Sequence, residues 1–352
     1  MERMNRPSQN EDKIPKVMSR DQLAKALFES LKDISLEDFV RLLTNETEEI
    51  IQYYGLTRGY KGCQRMSLLF NPHRLSTKAK GSRDSIYGAL KHEWFANGLA
   101  RALIFKNFSG SSRSMSNALY QVLQIGINGV QYVNEFPPHV AAELYRTYTK
   151  GMDRSKVEIL DPCGGWGGRM IGASVVVNKY TCYEPASRTH SGLVKLANFI
   201  VDKKLNPNFV ANVYKLPFED AELPKDYYDF ALTSPPYYDT EEYSDEPTNS
   251  LNRYRTFEEW CEKFYIPLIE KTMNALKPNC TFVLNIGDRR YPLSKVLLEN
   301  FGDKYQITKL KDHLVNYGLN RVGGKGESFY AITKCKSIKR GIKRGITLNK
   351  FF

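Results

Sequence analysis

The amino-acid sequence predicts an α/β protein with a doubly wound, seven-stranded, mostly parallel sheet, preceded by a mainly helical region. Two observations predict the sheet: strand-like and helical patterns alternate from Val157 onward, and a glycine-rich turn follows the first strand. The 352 residues exceed the usual size of one domain, and a hydrophobic content of 41% is ample for a core. We expect strands near 157–160, 180–183, 209–213, 228–233, 281–287, 305–310 and 328–334, and helices near 168–177, 186–203, 256–276 and 292–301.

The region before the sheet shows helical periodicity. Apolar residues recur at helical spacing from Leu23 to Leu31, and a second run follows the capping residue Ser35. A further helix-like stretch covers 86 to 105, and a flexible, positively charged connector follows it. The predicted division of the chain is a helical, basic region 1–130, a catalytic domain 134–335 and a basic tail 336–352.

The glycine-rich turn is the first candidate binding element. The strand Val157–Leu160 ends at Asp161, and Pro162-Cys163-Gly164-Gly165-Trp166-Gly167-Gly168 leads into a helix. Glycines let the backbone approach a ligand without an intervening side chain. The turn is not a phosphate-binding loop, because no Gly-Lys-Ser/Thr follows it. The next strand ends at Glu184, about twenty residues beyond the glycines, where an acid typically accepts hydrogen bonds from ribose hydroxyls.

The second candidate element is Ser234-Pro235-Pro236-Tyr237, which we call the proline clamp. It ends the apolar strand that begins at Tyr228. Because proline fixes φ and lacks a backbone donor, the Ser234 hydroxyl and the Pro235 carbonyl become two rigid acceptors for an amino group. Tyr237 is then placed to stack on a ring. A structural turn is the alternative interpretation of this tetrapeptide taken alone.

In this order on strand ends, the two motifs resemble those of S-adenosylmethionine-dependent DNA methyltransferases that modify the exocyclic amino group of adenine (N6) or cytosine (N4). That family carries Asp-Pro-x-x-Gly-x-Gly, here Asp161 to Gly167, and Ser/Asn/Asp-Pro-Pro-Tyr/Phe, here the proline clamp. The segment Phe136–Ala142 is similar to the one that closes over the methionine end of the cofactor. The resemblance covers about residues 134 to 335. It implies the class I methyltransferase fold, which is Rossmann-like and has an antiparallel final strand.

The resemblance also implies the roles of individual residues. Asp161 would lie near the methionine amino group of S-adenosylmethionine, and Glu184 would bind its ribose. The cofactor-binding set is Pro138, Asp161, Pro162, Gly164, Gly165, Gly167 and Glu184, and the catalytic set is Ser234, Pro235, Pro236 and Tyr237. In duplex DNA the target base must be flipped out of the stack, where Tyr237 would replace its lost stacking. Trp166 and Arg169 depart from the family pattern, and the acid that contacts adenine is in doubt, with Lys215 at the expected position and Glu219 and Asp220 nearby.

Other functions stay open at this point. An RNA or protein-glutamine methyltransferase would need a similar clamp, although the glutamine enzymes usually carry Asn where this chain has Ser234. A non-catalytic nucleic-acid-binding protein with the same fold is a third class. Cys163 lies in the cofactor turn and not at the fourth strand, so we interpret it as a packing or cofactor-adjacent residue and not as a nucleophile. Cytosine and adenine are both open as targets, as are protection of host DNA from a restriction nuclease and marking of viral DNA.

The net charge of +12 is concentrated in two stretches. Residues 58–113 contain eleven Lys or Arg against two acids, and residues 334–352 contain seven against none. Concentrated basic surface is typical of polyanion binders, so we expect DNA as the partner. A separate target-recognition region is expected within residues 1 to 130 or in the polar loop 238–256.

Composition excludes several classes. The six cysteines and five histidines show no metal-ligand or disulfide spacing, so neither a metal nor a disulfide framework is expected. No run of eighteen apolar residues exists and the start of the chain lacks a signal-peptide pattern, which predicts a cytoplasmic protein of a bacterial or phage-infected cell with no membrane segment. The sequence does not indicate an oligomeric state.

Overall fold

The computed structural model describes residues 18–105, 115–288, 290–310 and 327–334. A seven-stranded sheet forms its centre, as predicted. The strands of this sheet and of a small ribbon are β1 (Lys78–Ala79), β2 (Glu158–Asp161), β3 (Lys179–Tyr183), β4 (Val210–Tyr214), β5 (Tyr228–Thr233), β6 (Glu241–Glu242), β7 (Leu276–Ile286), β8 (Gln306–Lys309) and β9 (Ser328–Thr333).

The strand order in the large sheet is β4-β3-β2-β5-β7-β9-β8. All neighbouring pairs are parallel except those that involve β9, which runs antiparallel to both β7 and β8. From β2 the chain proceeds outward through β3 and β4, and it then returns to place β5 on the other side of β2. The strand order therefore reverses between β2 and β5, and ligands of such sheets bind beyond the carboxyl ends of the strands at this switch point.

Helices cover both faces of the sheet, because successive strand residues point to opposite sides. The α-helices of the described residues are α1 (Arg20–Leu31), α2 (Leu36–Leu43), α3 (Glu46–Thr57), α4 (Ile86–Ala89), α5 (Glu93–Phe105), α6 (Met115–Gln124), α7 (Pro138–Tyr148), α8 (Gly168–Ser174), α9 (Ser187–Asp202), α10 (Ser250–Arg253), α11 (Phe257–Trp260), α12 (Ile266–Ala275) and α13 (Leu293–Phe301). Ile159 packs into the core with α7, α8 and α9, whereas its neighbour Leu160 packs into a second core with α12 and α13.

The helical region before the sheet contains the predicted helices. Ser35 begins α2 by accepting a hydrogen bond from the backbone N–H of Asp38, as its sequence context predicts. Helices α2, α5 and α6 share a core of their own. Helix α3 instead packs into the core of the sheet: Tyr53 is fully buried there, and its hydroxyl lies 2.9 Å from Ser174 Oγ in α8. The expected boundary near residue 130 therefore does not separate two hydrophobic cores.

A short antiparallel ribbon connects the helical region to the segment that follows the proline clamp. Strand β1, from the helical region, pairs with β6, which follows the proline clamp by a few residues. The backbone N–H of Lys80 donates to the carbonyl of Thr240 at 2.9 Å, which extends the pairing. No helix within the described ranges is both long and apolar enough to cross a bilayer.

Candidate functional site at the switch point of the sheet

The glycine turn and the proline clamp lie at the carboxyl ends of β2 and β5, which are adjacent and parallel. Both elements line one cavity of about 790 Å³. Nine of the eleven predicted site residues line it: Pro162, Gly164, Gly165, Gly167, Glu184, Ser234, Pro235, Pro236 and Tyr237. The sequence-based expectation that these two strand ends face a common space agrees with this arrangement, while the roles of the individual residues stay predictions.

The glycine turn requires glycine for its backbone conformation. Gly165 and Gly167 have φ of 56° and 103°, in the left-handed region where a side chain is strained. A Cβ on Gly167 would also lie only 2.6 Å from Leu196 Cδ2 of α9. The turn therefore brings bare backbone to the cavity and packs tightly against the helix behind it.

Asp161 does not line the cavity. Its side chain is fully buried below the glycine turn, and both of its oxygens accept hydrogen bonds from the protein. The donors are the Thr233 hydroxyl at 2.7 Å, the Tyr180 hydroxyl at 2.5 Å, Arg169 Nε at 2.7 Å and the backbone N–H of Cys163 at 3.2 Å. The carboxylate thus organises the turn from behind in this structure, and the implied contact of Asp161 with a cofactor amino group stays a prediction.

The hydrogen bonds of Asp161 also explain Arg169, a residue that departs from the family pattern. Its guanidinium pairs with Asp161 and also donates to the carbonyl of Cys163. It is buried and sits over the Phe136 ring, with its Cζ 5.4 Å from the ring centroid. Arg169 thus neutralises a buried carboxylate, and its outer edge reaches the cavity lining.

Pro138 also lies outside the cavity lining. It occupies the first turn of α7 and is buried, and its carbonyl faces Gly172 of α8, where a Cβ would lie 2.6 Å away. The two preceding residues, Phe136 and Pro137, line the cavity. Proline at a helix start has a fixed φ suited to the helix, so Pro138 begins α7.

Glu184 follows β3 and faces the cavity. Its carboxylate is half-buried and accepts hydrogen bonds from the backbone N–H groups of Ala186, at 3.0 Å, and of Gly165. Burial raises the pKa of the Glu184 carboxyl to about 7, and these two donors oppose the shift. The side chain is thus positioned in part by the glycine turn.

The segment after β4 forms another part of the cavity wall. Pro217, Phe218 and Glu219 line the cavity there. Glu219 is held by Arg253 at 2.9 Å and by the Tyr254 hydroxyl at 3.1 Å. Glu219 is thus the acid of this segment that faces the cavity, a point on which the sequence pattern alone was ambiguous.

The proline clamp has a hydrogen-bond network behind it. Ser234 Oγ lies 2.9 Å from the Tyr237 hydroxyl, and that hydroxyl lies 3.2 Å from Asn285 Oδ1 at the end of β7. Asn285 also lines the cavity and is itself buried. The clamp residues are therefore fixed by contacts to the neighbouring strand.

Glu327 is a cavity residue that sequence reasoning missed. It directly precedes β9, and the side chains of Asn285 and Tyr237 hydrogen-bond to its carboxyl. Because β9 is antiparallel, its first residue Ser328 pairs with Ile286, the last residue of β7, and the start of β9 reaches the carboxyl edge of the parallel strands. The one sequence signal for Glu327 was an acid placed just before the predicted final strand.

The cavity is covered by the segment that follows the clamp. Lys80 of the helical region forms an ion pair with Asp239 of this segment. Tyr243 packs on Trp166 of the glycine turn, with ring centroids 5.9 Å apart. Farther along, Glu246 accepts hydrogen bonds from the backbone and the hydroxyl of Ser187, where α9 begins. The polar loop 238–256 therefore spans from the clamp to the glycine turn and the start of α9.

A buried ion pair forms part of the cavity wall. Arg74 Nη1 lies 2.7 Å from Glu135 Oε2, and the Ser67 hydroxyl donates to the same oxygen. Arg74 Nη2 also donates to the Tyr132 hydroxyl at 3.0 Å. Among the described residues, the other Glu135 oxygen has no hydrogen-bond partner. Arg74 of the helical region thus holds Glu135, a charged residue of the cavity lining, in place.

The basic stretch 58–113 divides into two groups. Arg65 and Arg74 are buried in ion pairs with Glu49 and Glu135 and are not available to a phosphate. The exposed members are Arg58, Lys61, Lys78, Lys80, Arg83, Lys91 and Arg101. Lys106, Arg113 and the basic tail beyond Lys334 lie outside the described residues. Within the described chain, no group of three or more His, Cys, Asp or Glu side chains is arranged to hold a metal.

No protein-family model and no curated protein matches this chain. Among solved structures, the chain is similar to a protein from Listeria monocytogenes proposed to be a class I S-adenosylmethionine-dependent methyltransferase, with 16% identity over 92% of this chain and 91% of that one and a TM-score of 0.43. It is also similar to an rRNA methylase from Streptococcus thermophilus, with 12% identity over 57% of this chain and 98% of that one and a TM-score of 0.37.

A third similar structure is magnesium protoporphyrin IX methyltransferase from Synechocystis with bound S-adenosylmethionine, with 9% identity over 56% of this chain and 79% of that one and a TM-score of 0.37. At these identities and scores, none of the three proteins indicates what this chain acts on. The seven-stranded sheet with its antiparallel β9 has the Rossmann-like fold expected for class I methyltransferases.

Proposed function

We propose that this protein transfers a methyl group from S-adenosylmethionine to the exocyclic amino nitrogen of a cytosine or adenine in DNA. One observation carries the proposal: a glycine turn and a proline clamp line the same cavity at the switch point of the sheet. Binding a methyl donor beside a trapped amino group requires such an arrangement.

The cofactor half of the cavity fits an adenosine with a methionine extension. Glu184 offers a carboxylate for ribose hydroxyls, and Pro217 and Phe218 offer an apolar wall for a purine ring. Gly165 and Gly167 present bare backbone to the remainder of the ligand. A volume of about 790 Å³ is also in the range of cofactor sites. S-adenosylmethionine would supply an electrophilic methyl carbon on a sulfonium.

The clamp half of the cavity suits an amino group conjugated to a ring, whose lone pair is delocalised and poorly nucleophilic. If the Tyr237 hydroxyl donates to Asn285 Oδ1, the Ser234 hydroxyl donates to Tyr237, and Ser234 Oγ keeps its lone pairs for the amino group. The Pro235 carbonyl accepts the second N–H. Both bonds favour a more tetrahedral nitrogen whose lone pair is free to attack.

The proposed reaction needs neither a strong base nor a covalent intermediate on the protein. Positioning and local electrostatics supply most of the rate acceleration. The one thiol in the cavity lining, Cys163, is kept in its neutral form, because burial raises the pKa of that thiol well above its ordinary value. This supports direct transfer to nitrogen over thiolate-assisted methylation of a ring carbon.

DNA is the proposed substrate, because exposed cations lie at the mouth of the cavity. Lys78 and Lys80 belong to the ribbon that borders the cavity, and both are exposed. A base in duplex DNA would have to be flipped to reach the clamp. RNA offers the same phosphates and amino groups, so it is the second candidate.

The proposal is tested by incubating the protein with radiolabelled S-adenosylmethionine and duplex DNA, total RNA or mixed protein. We expect label in DNA, and mass spectrometry of the digested DNA then identifies N4-methylcytosine or N6-methyladenine. Label only in RNA or protein would refute the DNA assignment, and no label in any fraction would refute methyl transfer.

Ser234→Ala is the diagnostic variant, because it removes one acceptor of the clamp. We expect methyl transfer to fall about 100-fold or more, with the thermal unfolding midpoint changed little. Ser155→Ala is the matched control: Ser155 is an exposed serine just before β2, at the opposite edge of the sheet. Equal activity of the two variants would contradict a role for the clamp.

A further inference from the structure

Glu327 is a partly buried acid to which the proposed reaction assigns no role. It lines the cavity at the clamp end and lies against Gly287, where a Cβ would be 3.5 Å from both Glu327 Cγ and Tyr237 Cε2. Both side chains thus border Gly287 at van der Waals distance, and the missing Cβ leaves a small space between them. A flat ring held by the clamp would have this space beside it.

Among the described residues, the neighbours of Glu327 are uncharged. Asn285 and Tyr237 hydrogen-bond to its carboxyl, and Gly287 packs beside it. Across residues 18–105, 115–288, 290–310 and 327–334, no lysine or arginine forms an ion pair with Glu327; Arg290, a cation of the cavity lining, pairs with Asp239 at 3.7 Å. A carboxylate in such surroundings lacks a counter-charge.

Burial accordingly raises the pKa of the Glu327 carboxyl above its ordinary value, although the bonds from Asn285 and Tyr237 oppose the shift. Within the part of the chain that the structure describes, the Tyr237 phenol is the titratable side chain that contacts it. A protonated carboxyl accepts a hydrogen bond from the Asn285 amide on its carbonyl oxygen, and it retains one O–H to donate into the cavity.

Cytosine and adenine share a feature that matches this donor. In both bases, the carbon that bears the amino group is bonded to a ring nitrogen with a free lone pair, N3 in cytosine and N1 in adenine. Thymine and guanine carry an N–H at the corresponding ring position. A donor beside the clamp therefore distinguishes the first two bases from the others.

We propose that Glu327 is a base-recognition residue that donates a hydrogen bond from its carboxyl to this ring nitrogen while Ser234 and Pro235 hold the amino group. This inference rests on the proposed methyl transfer to a base. It adds a specificity contact from β9, on the far side of β7 from the clamp strand.

The test compares the wild type with Glu327→Gln, which retains a donor and an acceptor of similar shape, and Glu327→Leu, which has neither. Each is assayed on a duplex with cytosine or adenine at the methylated position and on the same duplex with 3-deazacytosine or 1-deazaadenine. Replacing the ring nitrogen by C–H removes the proposed acceptor. Glu299→Gln, an exposed acid on α13, is the matched control, and thermal unfolding shows whether each variant is folded.

We expect the deaza base to lower kcat/KM about 10- to 100-fold in the wild type and in Glu299→Gln, and less than about 3-fold in Glu327→Leu. Wild-type kcat/KM should fall as rising pH ionises the Glu327 carboxyl, and Glu327→Gln should retain activity without that fall. A merely structural role would leave the pH profile and the deaza effect unchanged.

Two results would overturn the inference while leaving the methyltransferase intact: full discrimination against the deaza base in folded Glu327→Leu, or equal loss of activity in Glu327→Gln and Glu327→Leu. Absence of methyl transfer to any base by the wild type would instead refute the proposed function, and the inference would fall with it.

Discussion

The Thr233 hydroxyl donates a hydrogen bond to Asp161 Oδ1 over 2.7 Å, and both side chains are fully buried. These residues end the two central strands, β5 and β2. Thr233 Oγ1 also accepts from the backbone N–H of Cys163 at 3.1 Å. The bond therefore couples the position of the proline clamp, which begins one residue later, to the position of the glycine turn.

Replacing Thr233 with Val removes this coupling at nearly constant shape. Hydrogen bonds to charged groups contribute about 1.5 to 3 kcal/mol, so the free energy of unfolding should fall by about that amount. Affinity for S-adenosylhomocysteine should fall as well, because the turn loses a support. Urea unfolding and calorimetric titration measure the two effects.

Thr281→Val is the control for this prediction. Thr281 lies on β7 and its hydroxyl is 3.1 Å from that of Thr333, so a neutral and only partly buried bond is lost. It should cost less than about 1.5 kcal/mol and leave ligand affinity unchanged. Similar losses in both variants would show that Thr233 has no special role.

The strands and the two motif turns could be predicted because local sequence determines them. Parallel strands buried on both faces are apolar runs, and the turns need glycine or proline for their φ values. The position of Asp161 could not be predicted in this way. Whether a carboxylate at a strand end faces a ligand or the interior depends on Arg169, Tyr180 and Thr233, which come from three different elements.

Local sequence also could not predict that the helical region packs against the sheet. The pattern of α3 predicts an amphipathic helix but not the partner of its apolar face. The structure buries Tyr53 of α3 against the sheet domain, and it pairs Arg74 with Glu135 of the cavity lining. Glu327 reaches the cavity only because β9 is antiparallel, which is a property of the sheet and not of the residues around it.

Removing one partner of the Arg74–Glu135 pair should destabilise the fold strongly. Arg74→Met leaves a buried carboxylate without its cation, which costs about 3 to 5 kcal/mol. The double variant Arg74→Met with Glu135→Gln should recover part of this loss, because no unpaired charge is then buried. Denaturant unfolding of the single and double variants measures the difference. A double variant less stable than Arg74→Met would contradict the explanation.

Cofactor affinity should depend on the ionisation of Glu184. Because burial raises its pKa to about 7, the carboxyl is mostly protonated at pH 6 and mostly ionised at pH 8. The ionised form accepts hydrogen bonds from two ribose hydroxyls, so affinity for S-adenosylhomocysteine should rise with pH, by at most about tenfold per pH unit below the pKa. Calorimetric titration between pH 6 and 8 measures the slope.

Without ligand, the pH dependence that Glu184 gives to stability has the opposite sign to the one it gives to ligand affinity. The folded protein holds the Glu184 proton more tightly than the unfolded chain, so this group lowers the free energy of unfolding as pH rises from 4.5 to about 7. Glu184→Gln should remove both dependences. Glu222→Gln, an exposed acid outside the cavity, should retain them. An unchanged affinity slope in Glu184→Gln would remove Glu184 from the cofactor site.

A fragment limited to residues 134–352 should not fold cooperatively. It lacks Tyr53, Leu56 and Met66, which are fully buried in the core that α7 and α8 share with the sheet. Far-ultraviolet circular dichroism would show secondary structure, but thermal unfolding should be broad and near-ultraviolet signals weak. The full chain is the control. A sharp transition of the fragment would show that the sheet region is an independent domain.

DNA binding should be strongly salt-dependent, with Lys78 as one contact. Lys78 is exposed on the ribbon beside the cavity, where a backbone phosphate next to a flipped base would pass. Each neutralised phosphate contributes about −0.9 to the slope of log K against log salt concentration, so Lys78→Ala should flatten the slope by about that amount. Fluorescence anisotropy at several salt concentrations measures it. Lys156→Ala, an exposed lysine before β2 at the opposite edge of the sheet, should leave the slope unchanged, and the reverse pattern would place the DNA on that edge.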